Sequence, residues 1–290
     1  MKKPVFTGVS TALVTPYLDN KINFPMAEQL LRRQIEAGVN TIVLAGTTGE
    51  ASTLTDQEKL ELFRRCKDFV GDRCKIIAGT GNNATQRAVE LSQAAEECGV
   101  DGLLIVSPYY NKANDDGLFA HYLAIAHSVR IPIIMYNVPS RTGVDIPVSV
   151  YRRLSHIPNI TGVKESGKDI AKHSRILAAC GDALTVWAGN DEHIVPSISL
   201  GGKGVVSVLS NIYPAETVAM AEAALDGDFD SAADLQRRLM PLIDLLFCDV
   251  NPIPVKYAMQ CLGYDCGACR LPLTALSADK KEKISQLLLQ

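Results

Sequence analysis

The stretch ITGVKESG, residues 160–167, is apolar for four residues and then turns polar. Ile160, Thr161, Gly162 and Val163 read as a short strand buried on both faces. Lys164 closes the strand, and Glu165 and Ser166 follow at once. A strand with no alternating polar face belongs to a parallel sheet covered by helices. Seven further runs read in the same way: GVSTALVTP (8–16), TIVLAG (41–46), KIIAG (75–79), GLLIVSP (102–108), PIIMYN (132–137), LTVWAG (184–189) and GVVSV (204–208). Between them lie segments whose apolar residues recur at three and four, several ending in Gly: MAEQLLRRQIEAG (26–38), TDQEKLELFRRCKDFVG (55–71), ATQRAVELSQAAEECG (84–99) and GLFAHYLAIAHSV (117–129). Thr55 and Glu58 are spaced as a capping box for the second of these.

Eight strand–helix units predict an α/β fold, a closed (β/α)8 TIM barrel over residues 1–227. An open doubly wound sheet would carry a Gly-rich phosphate loop after its first strand, and here that strand runs into TPYLDN instead. Residues 228–290 read as a C-terminal helical extension: DSAADLQRRLMPLIDLLFC (230–248), NPIPVKYAMQCLG (251–263) and ADKKEKISQLLLQ (278–290).

The chain has 290 residues, 47 % of them hydrophobic, and a formal net charge of −3. Such a charge gives no basic face, so nucleic acid and anionic membrane are excluded as expected partners. No run approaches the roughly 20 apolar residues of a membrane-spanning helix. The N-terminal segment MKKPVFTGVSTALVTPYLDN is broken by Thr, Ser and Pro, unlike a signal peptide. A cytoplasmic protein is expected. The CGAC at Cys266–Cys269 has no second ligand pair at zinc spacing, and it reads as reduced thiols on a loop. The five histidines show no ligand spacing. No metal is expected.

In such a barrel, chemistry gathers at the C-terminal ends of the strands and in the loops that follow. Thr47 and Thr48 follow the second strand, and Tyr109 and Tyr110 the fourth. Tyr136 closes the fifth, with Arg141 five residues on. Lys164 closes the sixth, Gly189 follows the seventh, and Val206 lies in the eighth. Burial favours a free amine over an ammonium. A free amine at a barrel mouth attacks a ketone to form a Schiff base, which then acts as an electron sink. The competing reading of Lys164 is a lysine that snorkels to solvent or pairs with Glu165. Tyr136, on the neighbouring strand, can shuttle protons for the amine or simply pack at the mouth. Thr47 and Thr48 offer hydroxyls and amides near a helix start as a carboxylate receptor, or form an ordinary strand-to-helix turn, since Gly46 and Gly49 are turn residues. Arg141 can grip a carboxylate with both guanidinium nitrogens, or stand as a surface arginine in a turn.

GTTGEAS (46–52), SPYYNK (107–112), YNVPSRTG (136–143), GVKESG (162–167) and NPIPVKYAM (251–259) together resemble the dihydrodipicolinate synthase family, within the N-acetylneuraminate lyase superfamily. The resemblance covers essentially the whole chain. It implies that Lys164 binds pyruvate as a Schiff base and that Tyr136 relays protons with Thr47 and Tyr110. It implies that Tyr110 serves the neighbouring subunit's site across a tight dimer. Thr48 is implied to hold the pyruvate carboxylate and Arg141 the carboxylate of L-aspartate 4-semialdehyde, with Gly189 and Val206 lining the pyruvate end. No organic cofactor is implied, and the expected assembly is a homotetramer (a dimer of dimers) or a homodimer. The alternative within the superfamily is a lyase for N-acetylneuraminate or another sugar acid. Arg141 argues against it, because a lyase for long polyols generally offers hydroxyl-binding groups there. A barrel that had become a binding protein should have lost the lysine or the relay. The resemblance also places an effector site for lysine at Ala51, Ser52, Asp56, Lys59, Asn83, Arg87 and Tyr109. Lysine-sensitive members usually carry a glutamate at the position of Arg87 and histidines at those of Asp56 and Lys59.

Overall fold

The computed structural model describes residues 2–289. Met1 and Gln290, the outer ends of the two expected spans, lie outside them. Eight parallel strands close into a barrel: β1 (Gly8–Ala12), β2 (Thr41–Leu44), β3 (Lys75–Gly79), β4 (Gly102–Val106), β5 (Ile133–Asn137), β6 (Ile160–Glu165), β7 (Thr185–Ala188) and β8 (Gly204–Ser207). Each pairs with its neighbours in sequence, and β1 pairs with both β2 and β8. The helices that follow them are α1 (Phe24–Glu36), α2 (Asp56–Val70), α3 (Thr85–Glu97), α4 (Asp115–Ser128), α5 (Val148–Leu154), α6 (Ala171–Cys180), α7 (Ile194–Ser199) and α8 (Pro214–Leu225). This is the (β/α)8 barrel that the alternation of buried runs and helical segments predicts.

Two apolar layers hold it. The inner one fills the barrel with Val43, Ile77, Leu104, Ile134, Trp187 and Val206. Phe6, just before β1, stacks on Trp187 with ring centroids 4.7 Å apart, and Trp187 Nε1 donates to the Phe6 carbonyl. The outer layer lies between strands and helices. It continues without a break into the extension, α9 (Phe229–Leu246), α10 (Ile253–Cys261) and α11 (Ala278–Leu288), through Leu242, Ile243, Val255, Met259 and Ile284. Ionic contacts reinforce this join. Glu50, in the β2–α2 loop, pairs with the buried Lys256 of α10 at 2.7 Å and accepts from the Arg270 amide at 2.9 Å.

The expected capping box is present. Thr55 Oγ1 accepts from the Glu58 amide, and Glu58 accepts from the Thr55 amide. A small hairpin, Tyr17–Leu18 against Lys21–Ile22, joins β1 to α1. Cys266 and Cys269 are free thiols in the segment between α10 and α11. Among the described residues no helix is long and apolar enough to cross a membrane.

Candidate active site

The register of β5 and β6 places Tyr136 directly opposite Lys164, and Lys164 opposite Trp187 on β7. Side chains along a strand alternate between faces. Tyr136 belongs to the inner apolar cluster, and Lys164 Nζ sits 4.4 Å from the centre of its ring, so both point into the barrel. Each is at most 6 % exposed. Gly162 shares the inward face with Lys164, one layer below. A Cβ there would lie 2.3 Å from Trp187 Cζ3, so the glycine makes room for the indole beneath the amine. The lysine therefore stands on an apolar floor with only the mouth of the barrel ahead of it.

Its neighbour Glu165 faces the other way. Glu165 is fully buried behind the sheet, 3.6 Å from Lys172. The alternative in which Lys164 pairs with Glu165 is thus removed by strand alternation.

Several groups act on the Tyr136 phenol at the mouth. Burial pushes its phenol up, but the Lys164 charge, the Thr47 hydroxyl, Arg141 and the Ser166 hydroxyl together outweigh burial. They hold the phenol below the usual tyrosine value. A phenol made more acidic than usual beside an amine gives up and recovers a proton more readily. Gly189, just past β7, lies against the same pair. A Cβ there would meet Ser166 Oγ at 1.8 Å and Lys164 Cγ at 3.0 Å. Val206 is fully buried in the inner cluster on β8.

Thr47 and Thr48 lie in a strand-to-helix turn, the alternative reading of this stretch, ahead of the helix start itself. The Glu50 amide donates to the Thr47 carbonyl and the Ala51 amide to the Gly46 carbonyl, and α2 begins only at Asp56. The turn is folded back so closely that a Cβ on Gly49 would sit 3.0 Å from the Ala45 nitrogen. Thr48 is buried, and its Oγ1 accepts from Asn251 Nδ2 at 3.0 Å. With that lone pair engaged, the hydroxyl proton of Thr48 is free for an incoming acceptor. Arg141 sits on a single helical turn, Pro139–Thr142, at the mouth, exposed, with Nη2 donating to the Asn251 carbonyl at 3.3 Å.

The structure thus groups Lys164, Tyr136, Thr47, Arg141 and Gly189 around one space, with Thr48 tied to Arg141 through Asn251. Tyr110 differs from them. It is 90 % exposed, with φ of 70°. Two residues went unassigned from sequence. Asn251 opens the NPIPVKYAM motif and leaves its Oδ1 buried without a partner. Asp191 is buried two residues past Gly189. Its carboxyl is raised by burial, opposed by hydrogen bonds from Ser207 and the Leu209 and Val208 amides and by the Lys164 charge. The hint for both was a polar residue next to an apolar strand end or helix start.

The dihydrodipicolinate synthetase family model matches residues 5–290. The chain belongs to that family. A 4-hydroxy-tetrahydrodipicolinate synthase of Acetivibrio thermocellus is 43 % identical over 99 % of this chain and 98 % of its own. Another, from an Exiguobacterium species, is 46 % identical over 97 % of this chain and 96 % of its own. The solved dihydrodipicolinate synthase of Cyanidioschyzon merolae, with lysine bound, superposes with a TM-score of 0.96 at 38 % identity, covering 99 % of this chain and 98 % of that one. Membership in the dihydrodipicolinate synthetase family extends over barrel and extension alike.

Proposed function

We propose that this enzyme condenses pyruvate with L-aspartate 4-semialdehyde to 4-hydroxy-tetrahydrodipicolinate, the entry to diaminopimelate and lysine synthesis. The observation that carries it is the buried pair of Lys164 Nζ and the Tyr136 ring, 4.4 Å apart at the mouth of the barrel. Lys164 attacks the pyruvate ketone. The carbinolamine loses water as Tyr136 supplies and recovers the proton, leaving an iminium. A proton then leaves the pyruvate methyl carbon to give an enamine. That carbon bonds to the aldehyde carbon of the second substrate, whose oxygen is protonated to a hydroxyl. The product's amine attacks the former keto carbon and releases Lys164 as the ring closes. The lysine itself is the electron sink, so the scheme needs no organic cofactor.

The two carboxylates have separate receptors. Thr48, with its hydroxyl proton free, takes that of pyruvate, and Arg141 takes that of the semialdehyde. An arginine at the mouth suits a short charged aldehyde better than the polyol tail of a sugar acid. This favours the synthase over an N-acetylneuraminate-type lyase. Gly189 and Val206 line the pyruvate end, Thr47 hands protons to Tyr136, and Tyr110 completes the relay in the neighbouring subunit of a homodimer or homotetramer. The exposed ring of Tyr110 supports a role outside its own subunit. We place the enzyme in the cytoplasm and treat residues 228–290 as an extension of the barrel, because the two share one apolar layer.

Borohydride with pyruvate should trap a reduced adduct on Lys164, since an iminium is reducible and an amine is not. Mass spectrometry should then find the six-membered product with aspartate semialdehyde and no cleavage of N-acetylneuraminate. An adduct on another lysine, or none, would overturn the mechanism; cleavage of the sugar acid would overturn the substrate.

A further inference from the structure

Behind the reacting pair lies a buried polar network with no part in the scheme above. The rung after Tyr136–Lys164 is Asn137–Glu165, the last residues of β5 and β6. Both are fully buried and face away from the barrel interior. Asn137 Nδ2 donates to Glu165 Oε1 and Oε2 at 2.8 and 3.0 Å and to Asp145 Oδ1 at 2.8 Å. Asn137 Oδ1 accepts from the Ile146 amide at 3.0 Å. Glu165 also accepts from the Gly167 amide at 2.8 Å and from the Tyr151 hydroxyl at 3.2 Å. Lys172 lies 3.6 Å from Glu165 and forms a close ion pair with Asp145.

These bonds share a geometric consequence. The segment from Asn137 to Asp145 is the loop that carries Arg141, and the bonds from Asn137 to Asp145 and Ile146 close it at its base. Lys172 joins the far end of that base to Glu165. Across from it, the Gly167 amide is held by the same carboxylate. A cavity of about 580 Å³ opens between the two loops, with Pro139 and Ser140 on one side, Ser166 and Gly167 on the other, and Asp145 and Lys172 also lining it.

A buried carboxylate is costly unless every lone pair finds a partner. Glu165 has one cation, one side-chain amide, one main-chain amide and one phenol around it, and burial still raises its carboxyl above the usual range against Lys172, Asn137 and the Gly167 amide. Neutralising it frees Lys172 from one anion and weakens the amide bond that holds Asn137. We propose that Glu165, acting through Asn137, Lys172 and Asp145, is a positioning residue that sets the Arg141 loop and so the affinity for the second substrate. This rests on the function proposed above, in which Arg141 receives the semialdehyde carboxylate.

The test is Glu165→Gln, which keeps shape and removes charge. Trapping of pyruvate on Lys164 by borohydride should stay close to wild type, because the reacting rung is untouched. KM for aspartate semialdehyde should rise by about 10- to 100-fold, the scale of a displaced contact, with little change in pyruvate KM. Arg141→Ala in the Glu165→Gln background should add little further. A carboxylate that only stabilised the fold would lower the active fraction, and thus kcat, without moving the ratio of the two KM values. Asp145→Asn, whose side chain is partly solvent-exposed, should shift that ratio the same way and guards against misfolding of the first variant. An unchanged ratio in either folded variant, or full additivity with Arg141→Ala, overturns the proposal. A wild-type enzyme that trapped no pyruvate on Lys164 would instead overturn the proposed function, and this inference with it.

Discussion

Tyr136 and Lys164 meet because β5 and β6 pair in parallel with those two residues in register, and because both fall on the inward face. The phenol is then pulled in two directions. Burial alone would make it a poor acid; the facing cation and the hydroxyls of Thr47 and Ser166 reverse the outcome. Tyr136→Phe removes the hydroxyl and almost none of the packing. Loss of a positioned acid–base group is worth about 10²–10⁴ in rate, so kcat should fall by that much with a modest change in pyruvate KM. An unchanged kcat would assign Tyr136 to packing against Val106 and Trp187. Arg141 asks a different question at the same scale. Arg141→Ala should raise KM for the semialdehyde far more than for pyruvate, since Thr48 remains in place. Equal changes in both would mean that Arg141 shapes the site as a whole, as its bond to the Asn251 carbonyl would allow.

Among the elements, the barrel strands were the most legible in the sequence. Parallel strands buried on both faces leave uninterrupted apolar runs, and the helices keep a 3.6-residue period, so the order of elements follows almost by inspection. The Glu165 direction was legible too, by alternation alone, once Lys164 is taken as inward. What stayed hidden depends on distant chain. Asn251 meets Thr48 from 203 positions away, and no local pattern encodes that. The two-residue strands of the hairpin are too short to carry a period, and at Thr47 the flanking Gly46 and Gly49 allow a turn as readily as a helix start. The capping box of α2 was legible, but its second use was not. Glu58 also pairs with Arg270, beyond α10, at 2.5 Å, and that guanidinium holds its carboxyl down at about 2. A carboxylate lowered by folding stabilises the native state above its unfolded value of about 4.3, and that contribution is lost as pH falls toward 2. Glu58→Gln keeps the cap, because glutamine serves in a capping box, but loses the ion pair. The variant should therefore melt below wild type at pH 7, with the deficit narrowing below about pH 4 and closing only as pH reaches about 2. A deficit independent of pH, in melting curves across that range, would trace the loss to the helix start instead.

At the scale of the whole molecule, one chain leaves Tyr110 exposed at a backbone angle that non-glycine residues seldom adopt. If a neighbour's site uses that ring, two dead variants should complement. Lys164→Arg keeps a cation without a usable nucleophile, and Tyr110→Phe lacks the relay hydroxyl. In a mixed dimer, one site has its own Lys164 and its partner's Tyr110. Random reassortment in a twofold dimer should restore about a quarter of wild-type activity. No recovery after co-refolding, with mixed dimers confirmed by mass, would place Tyr110 within its own subunit's site. The same face bears on feedback. The Cyanidioschyzon merolae relative holds lysine. Here Lys59, where lysine-sensitive relatives usually carry histidine, is buried, with its ammonium 3.7 Å from Asp56. Burial lowers its proton affinity and Asp56 opposes that, so Asp56 already has a cation to serve. Arg87, exposed at the start of α3, stands where those relatives usually carry the glutamate. At an effective dielectric near 20, a like charge about 5 Å away costs on the order of 3 kcal/mol before screening. An effector ammonium would meet Lys59 and Arg87, with Asp56 already paired to Lys59. L-Lysine should therefore inhibit weakly or not at all. Arg87→Glu, which supplies the missing anion, should create or strengthen inhibition. Half-inhibition of the unaltered enzyme below millimolar lysine would show that Asp56 serves the effector rather than Lys59.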